Sequence, residues 1–237
     1  MIKIKTIFTH QEASVEMLRQ KNVIIIDVLR ATSVMATALQ NGVQEIQTVA
    51  EIASAFQKKN ENKDLLLAGE RNAQKIEGFD LGNSPLEMTK EKLKGKSLIM
   101  STSNGTQAVK IAREAKSLRA AAFINMASVV KDLLLLKEDF TLLCSGTNAR
   151  FSLDDALAAG ILINRIKANT KVHLCDNSLM CSLSISRENK LKESLKDSYH
   201  LQLLQQRGFQ KDVDYCLSLD IVDIVPVLEQ GRFVAKQ

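Results

Sequence analysis

Residues 23–27 read Val-Ile-Ile-Ile-Asp, and this stretch decides the fold class. All four aliphatic residues are β-branched, which favours a strand, and an unbroken apolar run is typical of a parallel strand buried on both faces. A carboxylate that closes such a run has little structural reason to be there. Asp27 is therefore predicted to stand at the C-terminal end of a buried strand and to take part in chemistry.

Strand-like and helix-like segments alternate after this stretch. The spacing predicts helices over residues 31–39, 51–59, 106–115, 126–136 and 152–167, a helix beginning at Ser84-Pro85, and a helix-rich portion at about 177–217 interrupted at Gly208. It predicts further strands over 45–49, 65–68, 97–101, 120–124, 140–145, 172–174 and 221–227, with Pro226 near a sheet edge. The alternation indicates an α/β fold with helices on both faces of a parallel sheet, and the absence of a linker predicts one domain over residues 1–237.

Composition narrows the function classes. The 237 residues carry a net charge of +5, with two Tyr and no Trp, so nucleic-acid binding is weakly supported and the surplus charge suits a small anionic substrate. No apolar run reaches membrane-spanning length, and the first ten residues lack the apolar core of a signal peptide. We expect a cytoplasmic protein without a membrane or nucleic-acid partner, and a homo-oligomer remains open.

Four loops are expected at the C-terminal ends of the parallel strands, where ligands bind in open α/β sheets. They follow Asp27, Ala68, Met100 and Cys144. The second, residues 69–85, is long and dense in Gly, Asn and charged groups, which is typical of a functional loop. The predicted site residues in the first two loops are Arg30, Thr32, Glu70, Arg71, Asp80, Asn83 and Ser84.

The third and fourth loops resemble each other, because each passes from an apolar strand through Ser/Thr and Gly-Thr to a helix. Hydroxyls and glycine-freed backbone amides before a helix favour anions. The predicted phosphate-binding residues here are Thr102, Asn104, Gly105, Thr106, Cys144, Gly146, Thr147 and Arg150. Ordinary capping turns are the alternative interpretation of both loops.

The acidic residues at the same edge are Asp27, Glu70, Asp80, Asp154 and Asp155. Such hard oxygen ligands suit Mg²⁺, which takes one or two protein carboxylates and keeps waters and substrate oxygens.

A competing pattern is Cys144-x5-Arg150 between a strand and a helix, the arrangement of cysteine-dependent phosphatases. Cys144 also extends an apolar run, so a buried structural cysteine is an alternative. None of the three His residues stands in a motif, and for each a structural or surface role is favoured over catalysis.

Together these motifs resemble the 2-phosphosulfolactate phosphatase (ComB) family. The matching stretches are residues 27–32, 69–71 with 78–85, 102–106, 144–155, and a tail from Asp212 to Pro226. Two departures are visible: Asn72-Ala73 stands where the family pattern is glycine-rich, and Ser103 replaces Thr. Neither departure removes a charged group.

The resemblance implies a three-layer α/β/α fold with a mixed, mainly parallel sheet. It also implies a Mg²⁺-dependent hydrolase that converts 2-phosphosulfolactate to 3-sulfolactate, a step toward coenzyme M. The substrate would present phosphate, sulfonate and carboxylate groups. Our mechanistic hypothesis is that Asp27 and Glu70 hold Mg²⁺, with Asp80 or Asp154 assisting, while Arg30 or Arg71 neutralises the phosphoryl oxygens.

Two other hypotheses stay open at this point. In the first, Cys144 is the nucleophile and Arg150 clamps the phosphate of another small phosphorylated acid. In the second, the protein is a non-catalytic binder of small anionic acids.

Overall fold

The computed structural model describes residues 1–148, 150–185 and 188–236, and within them eleven strands form one sheet. The strands are β1 (Ile2–Ile7), β2 (Asn22–Ile26), β3 (Glu45–Thr48), β4 (Leu66–Arg71), β5 (Gln74–Lys75), β6 (Ser97–Ser101), β7 (Ser117–Ala121), β8 (Phe140–Cys144), β9 (Val172–Leu174), β10 (Val225–Glu229) and β11 (Arg232–Lys236). Their order across the sheet is β5-β4-β6-β3-β11-β10-β7-β2-β8-β1-β9.

Helices occupy most of the segments between the strands. They are α1 (Val15–Leu18), α2 (Ala31–Gln40), α3 (Ile52–Glu61), α4 (Lys90–Leu93), α5 (Gly105–Ile111), α6 (Met126–Leu136), α7 (Leu153–Asn169), α8 (Asp176–Ser184), α9 (Leu191–Leu195), α10 (Tyr199–Gln206) and α11 (Gln210–Cys216). Short 3₁₀ turns cover His10–Glu12, Pro85–Glu87, Phe123–Asn125 and Glu188–Lys190. In the part of the chain that is described, every helix is too short or too polar to cross a bilayer.

Apart from the two-residue edge strand β5, which pairs antiparallel with β4, the sheet consists of two parallel groups joined by a hairpin. One group is β4-β6-β3, and the other is β7-β2-β8-β1-β9. The hairpin β10–β11 lies between them and pairs antiparallel with both, through Phe233 opposite Ile46 on one side and Val227 opposite Arg119 on the other. This mixed, mainly parallel sheet confirms the predicted fold class.

The hairpin also sets how the two groups face each other. Three successive antiparallel pairings separate β3 from β7, so the groups run in opposite senses along the sheet. The loops after β2 and β6 nevertheless meet: a Cβ placed on Gly105 would lie 2.9 Å from Asp27 Oδ2.

Strand β2 shows why the sheet has a helical layer on each face. Ile24 and Ile26 belong to a core that includes α6 and α7, whereas Val23 and Ile25 belong to a second core that includes α2 and α5. Alternate side chains of a strand point to opposite faces, so an all-aliphatic strand suits a sheet that is covered on both sides. The three-layer α/β/α arrangement follows.

Several predicted elements differ from those observed. The N-terminal strand β1 was not predicted; its side chains alternate between buried and lysine-bearing exposed positions, so it lacks the continuous apolar run that marks a strand such as β2. The strand expected at 120–124 begins three residues earlier, and the expected strand 221–227 is instead the hairpin over 225–236. The helix expected at Ser84-Pro85 is a single 3₁₀ turn followed by the four-residue α4.

The expectation that Pro226 lies at a sheet edge is wrong, because β10 is an interior strand. Proline lacks the N–H that other residues of a central strand donate to a neighbouring strand. The pairing of β10 with β7 is limited to one residue pair, Val227 with Arg119, so β10 makes a regular ladder only with β11.

We predict that Phe233→Ala strongly destabilises the fold. Phe233 is fully buried in the hairpin that joins the two parallel groups, and truncating such an aromatic side chain costs about 3–5 kcal/mol. Urea denaturation of both proteins measures the difference in free energy of unfolding. The control is Leu183→Ala, whose side chain is 73% exposed. Equal losses for the two variants would contradict the role of the hairpin.

Candidate functional site

A cavity of about 120 Å³ opens where the loops after β2, β4, β6 and β8 meet helix α10. All four loops predicted to form the site contribute to its wall. From the loops the lining residues are Asp27, Leu29, Arg30, Glu70, Asn72, Ala73, Asn83, Thr102, Ser103, Asn104, Thr147 and Asn148. From α10 and the residue after it come Tyr199, His200, Leu203, Leu204 and Arg207.

Asp27 stands at the junction of β2 and α2 and is almost fully buried. Its Oδ1 accepts a hydrogen bond from the Ala31 backbone N–H at 3.2 Å. The hydroxyl of Thr32 donates to the Asp27 backbone carbonyl at 2.8 Å and accepts from the Asp27 N–H at 3.1 Å. Thr32 therefore fixes the turn that carries Asp27, rather than lining the cavity itself.

Ionisation of Asp27 is unfavourable in this position. Burial raises the pKa of Asp27 from 3.8 to about 6; nearby His200 and the Ala31 amide oppose the increase, while Asp154 and Glu70 add to it. A carboxyl group that loses water favours its neutral form, and neighbouring carboxylates act in the same direction. Such shifts are concentrated at functional sites.

Arg30 is a buried cation in the cavity wall. Its Nη1 donates to Asp212 Oδ2, its Nη2 donates to the Ala73 carbonyl at 3.2 Å, and its guanidinium carbon lies 4.0 Å from the centre of the Phe209 ring. Asp212 and Phe209 both belong to the C-terminal helical segment. The guanidinium is thereby held by two separate parts of the chain, the turn at Ala73 and the segment from Phe209 to Asp212.

Glu70 also lines the cavity, near the end of β4. Its Oε1 accepts from the Ser103 N–H and its Oε2 from the Ala73 N–H, both at 2.8 Å. Asn72 and Ala73 form the two-residue turn between β4 and β5, and both have positive φ, 53° and 62°. Such turns favour glycine, which agrees with the glycine-rich family pattern at this place. The turn positions the amide that fixes Glu70.

The loop after β6 is held tightly against the loop after β2. Thr106 Oγ1 donates to the Thr102 carbonyl at 2.6 Å, and its backbone N–H donates to Thr102 Oγ1 at 3.3 Å. Gly105 allows the close approach, because a side chain there would collide with Asp27 and Ala31. Thr102 and Asn104 line the cavity, whereas Gly105 and Thr106 support its wall.

The loop after β8 carries a network of acidic groups. Asp155 accepts from the Val28 N–H and the Gly146 N–H, both at 3.0 Å, and so connects the loops after β2 and β8. Burial, with the charges of Asp154 and Asp27, raises the pKa of Asp155 well above its ordinary value. Asp154 is 1% exposed, and its Oδ2 has no hydrogen-bond partner among the described residues.

His200 on α10 completes this network, and sequence patterns did not identify it. Its Nδ1 lies 2.8 Å from Thr147 Oγ1 and 3.5 Å from Asp154 Oδ2. Burial lowers the pKa of His200, but Asp154 and Asp27 raise it by more, so the net shift is upward. The same pairing, with the Ser152 hydroxyl, outweighs burial and lowers the pKa of Asp154. The imidazole is thereby favoured as a cation facing the cavity.

Other predicted site residues lie outside the cavity lining. Arg71 donates to the carbonyls of Glu70 and Ala50 and to Ser101 Oγ. Asp80 is exposed near the start of β4, where it accepts from the Leu67 N–H at 2.8 Å and from Lys59 at 3.3 Å. Ser84 donates to Asp212 at 2.7 Å. The Arg150 side chain is exposed, and its backbone pairs with Thr147.

Cys144 does not have the surroundings of a nucleophile. It is 1% exposed inside β8 and does not line the cavity. Burial and the charge of Asp155 raise the pKa of its thiol well above the ordinary value, whereas a reactive thiolate needs a lowered pKa. The observed geometry therefore favours the structural interpretation of this cysteine.

Comparison with known proteins identifies the family. A sequence profile described as 2-phosphosulpholactate phosphatase matches residues 7–231. The chain belongs to the 2-phosphosulfolactate phosphatase family. A relative from Caldanaerobacter subterraneus subsp. tengcongensis, named "Probable 2-phosphosulfolactate phosphatase", is 42% identical over 231 residues, 96% of each chain. Relatives with the same name from Thermotoga petrophila and Clostridium novyi are 44% identical over 218 residues and 41% identical over 226 residues. They cover 92% and 95% of this chain and 93% and 96% of their own.

Three side chains in the cavity offer oxygen atoms that could bind a hard cation. Asp27, Glu70 and Asn83 line the same cavity, and Asn83 Oδ1 is buried without a hydrogen-bond partner among the described residues. Across the described part of the chain, no group of three His, Cys, Asp or Glu side chains is arranged so that it could hold a metal. An ion here would complete its shell with water and substrate oxygens, as Mg²⁺ does. Asp154, the third predicted metal ligand, is adjacent to His200 rather than in the cavity lining.

We predict that Asp27→Asn stabilises the metal-free protein at neutral pH. The pKa of Asp27 rises on folding. Between pH 3.8 and about 6 the folded chain therefore keeps a proton that the unfolded chain releases. Ionised Asp27 therefore lowers the free energy of unfolding above about pH 6, and the neutral amide removes a cost of about 1–3 kcal/mol. Below about pH 4 the difference should disappear.

Thermal denaturation from pH 4 to 8 in chelator measures this difference. The control is Asp64→Asn at an exposed surface position, which should follow the wild type at every pH. A wild-type protein as stable as Asp27→Asn at pH 8 would contradict the prediction.

Proposed function

We propose that the protein hydrolyses the phosphate ester of 2-phosphosulfolactate, giving 3-sulfolactate and phosphate, with Mg²⁺ as its cofactor. This is the type of reaction found in coenzyme M biosynthesis. Family membership supports the reaction class, because the relatives carry the name of this phosphatase. The cavity supplies the physical argument.

One observation carries the proposal: carboxylates and cations line the same small cavity. Asp27 and Glu70 are placed together with Arg30 and His200, and Arg207 lies at the rim. A substrate with phosphate, sulfonate and carboxylate groups would be repelled by Asp27 and Glu70 alone. A divalent cation between these carboxylates and the phosphoryl group removes the repulsion, which explains why acidic residues line a site for an anion.

Asp27, Glu70 and Asn83 are the residues that would hold Mg²⁺. When bound, the ion would neutralise the phosphoryl oxygens and favour the attack of water on phosphorus. Both Glu70 oxygens already accept backbone N–H groups, which leaves a second lone pair on each and fixes the direction of the carboxylate. Asn83 would contribute the carbonyl oxygen that otherwise has no partner.

The remaining side chains act on the substrate directly. Arg30, held rigidly in the wall, binds the phosphoryl oxygens as negative charge accumulates on them. His200, whose cationic form Asp154 favours, faces the anion from α10. In this proposal, Arg207 and Tyr199, which line the cavity, contact the sulfonate and carboxylate end. Asp27 accepts a proton from the attacking water.

Phosphate release from a panel of phosphorylated hydroxy acids tests the reaction. We expect 2-phosphosulfolactate to be hydrolysed faster than 2-phospholactate, which lacks the sulfonate. Removing Mg²⁺ with chelator should lower the rate at least ~100-fold, since a metal typically contributes several kcal/mol to catalysis. Preference for the unsulfonated ester would overturn the substrate, and full activity in chelator would overturn the cofactor. Tight binding of 2-phosphosulfolactate without phosphate release would indicate a binder.

A pair of variants tests the nucleophile. We predict that Cys144→Ala retains activity within about threefold, because the buried thiol does not reach the cavity, whereas Asp27→Asn loses at least ~100-fold. Steady-state phosphate release with saturating Mg²⁺ gives both values. Cys181→Ala is the matched control for removal of a buried thiol. Loss of turnover in Cys144→Ala alone would restore the cysteine mechanism.

A further inference from the structure

Asp212 is the acidic partner of Arg30, although it lies outside the cavity lining and 182 residues later in the chain. It is 4% exposed, on α11. One of its carboxylate oxygens accepts from Arg30 Nη1, and the other accepts from Ser84 Oγ at 2.7 Å. Both oxygens thus have a defined partner, and the carboxylate cannot rotate freely.

The surroundings of Arg30 leave part of its guanidinium for a ligand. Two of its five N–H groups donate to Asp212 and to the Ala73 carbonyl, and Phe209 packs against one face of the plane. The other three N–H groups donate to no protein acceptor among the described residues. Because the guanidinium is planar, fixing one Nη and one face also fixes where the remaining N–H groups point.

We propose that Asp212 is a positioning residue for phosphoryl transfer, acting through Arg30. The inference rests on the proposed function, in which Arg30 binds the phosphoryl oxygens. Ser84 orients Asp212, Asp212 and Phe209 orient Arg30, and Arg30 presents its free N–H groups to the substrate. Ser84, predicted from the sequence to bind substrate, is thereby assigned a role one step further from the reaction.

Pre-oriented donors are effective because the substrate does not have to immobilise them. A misplacement of about 1 Å in a catalytic group can reduce the rate by about 100-fold. Without Asp212, Arg30 keeps its charge and its contact with the Ala73 carbonyl but loses its only recorded anionic partner among the described residues. The expected defect is in the transition state, so kcat should fall more than KM rises.

A double-mutant cycle separates positioning from general structural support. Asp212→Asn should lower kcat/KM by about 10–100-fold when Arg30 is present, but by less than about threefold in the Arg30→Ala background. Equal losses in both backgrounds would show that Asp212 acts independently of Arg30 and would overturn the proposal. Unchanged activity in Asp212→Asn would also overturn it.

Asp214→Asn is the matched control, because Asp214 lies on the same helix but is exposed and contacts Lys192 and Gln210. It should retain wild-type kinetics. If Asp212→Asn fails to fold, Ser84→Ala provides the second variant, since it removes one hydrogen bond to Asp212 and leaves the ion pair. We expect a loss of about threefold to tenfold with Arg30 present and little further loss with Arg30→Ala. Equal losses in both backgrounds would again overturn the proposal.

Binding of inorganic phosphate, measured by calorimetry on the Mg²⁺-loaded protein, gives a readout that does not require turnover. Asp212→Asn should weaken phosphate binding about tenfold with Arg30 present and leave it unchanged in the Arg30→Ala background. Equal weakening in both would overturn the positioning role. A wild-type protein that binds phosphate but releases none from 2-phosphosulfolactate would reject the proposed function while leaving this cycle interpretable.

Discussion

The burial of negative charge at the end of β2 is the constraint on which the rest of the site depends. Asp27, Asp154 and Asp155 lie almost without solvent in one region, and each would favour its neutral form there without compensation. Compensation comes from the backbone amides of the adjoining loops and from His200. The strand-end loops must therefore pack closely, and a helix that arrives from distant sequence must cover them. The geometry of the cavity follows from these requirements.

The sheet makes this convergence of loops feasible. Its two parallel groups run in opposite senses, yet the loops that follow β2 and β6 come within contact distance, with Gly105 against Asp27 and Ala31. The loops present carboxylates, an arginine and hydroxyls to the cavity. Helix α10 adds His200, which lines the cavity beside Asp154, and α11 supplies Asp212, which holds Arg30 from outside the cavity.

The sequence predicted those parts of the site that local patterns encode. An aliphatic strand closed by Asp27, and loops rich in glycine and polar residues, identified most of the cavity wall and the fold class. His200 was expected to have a structural or surface role, and Tyr199 and Asp212 were not predicted to belong to the site. These residues reach it only through the packing of helices whose sequences look like an ordinary amphipathic surface. Patterns also do not show where a loop side chain points: of the adjacent residues 70 and 71, the first faces the cavity and the second turns to backbone carbonyls.

The hairpin that joins the two parallel groups has a consequence for biosynthesis. Phe233 pairs with Ile46, so 187 positions of chain separate the two partners. As the chain leaves the ribosome, strands β3 and β7 each keep one unpaired edge until residues 225–236 follow. Unpaired edges template association with other chains, and contacts so distant in sequence form slowly. Nascent chains of this protein thus pass through a long interval in which two strand edges are open to pairing with other chains.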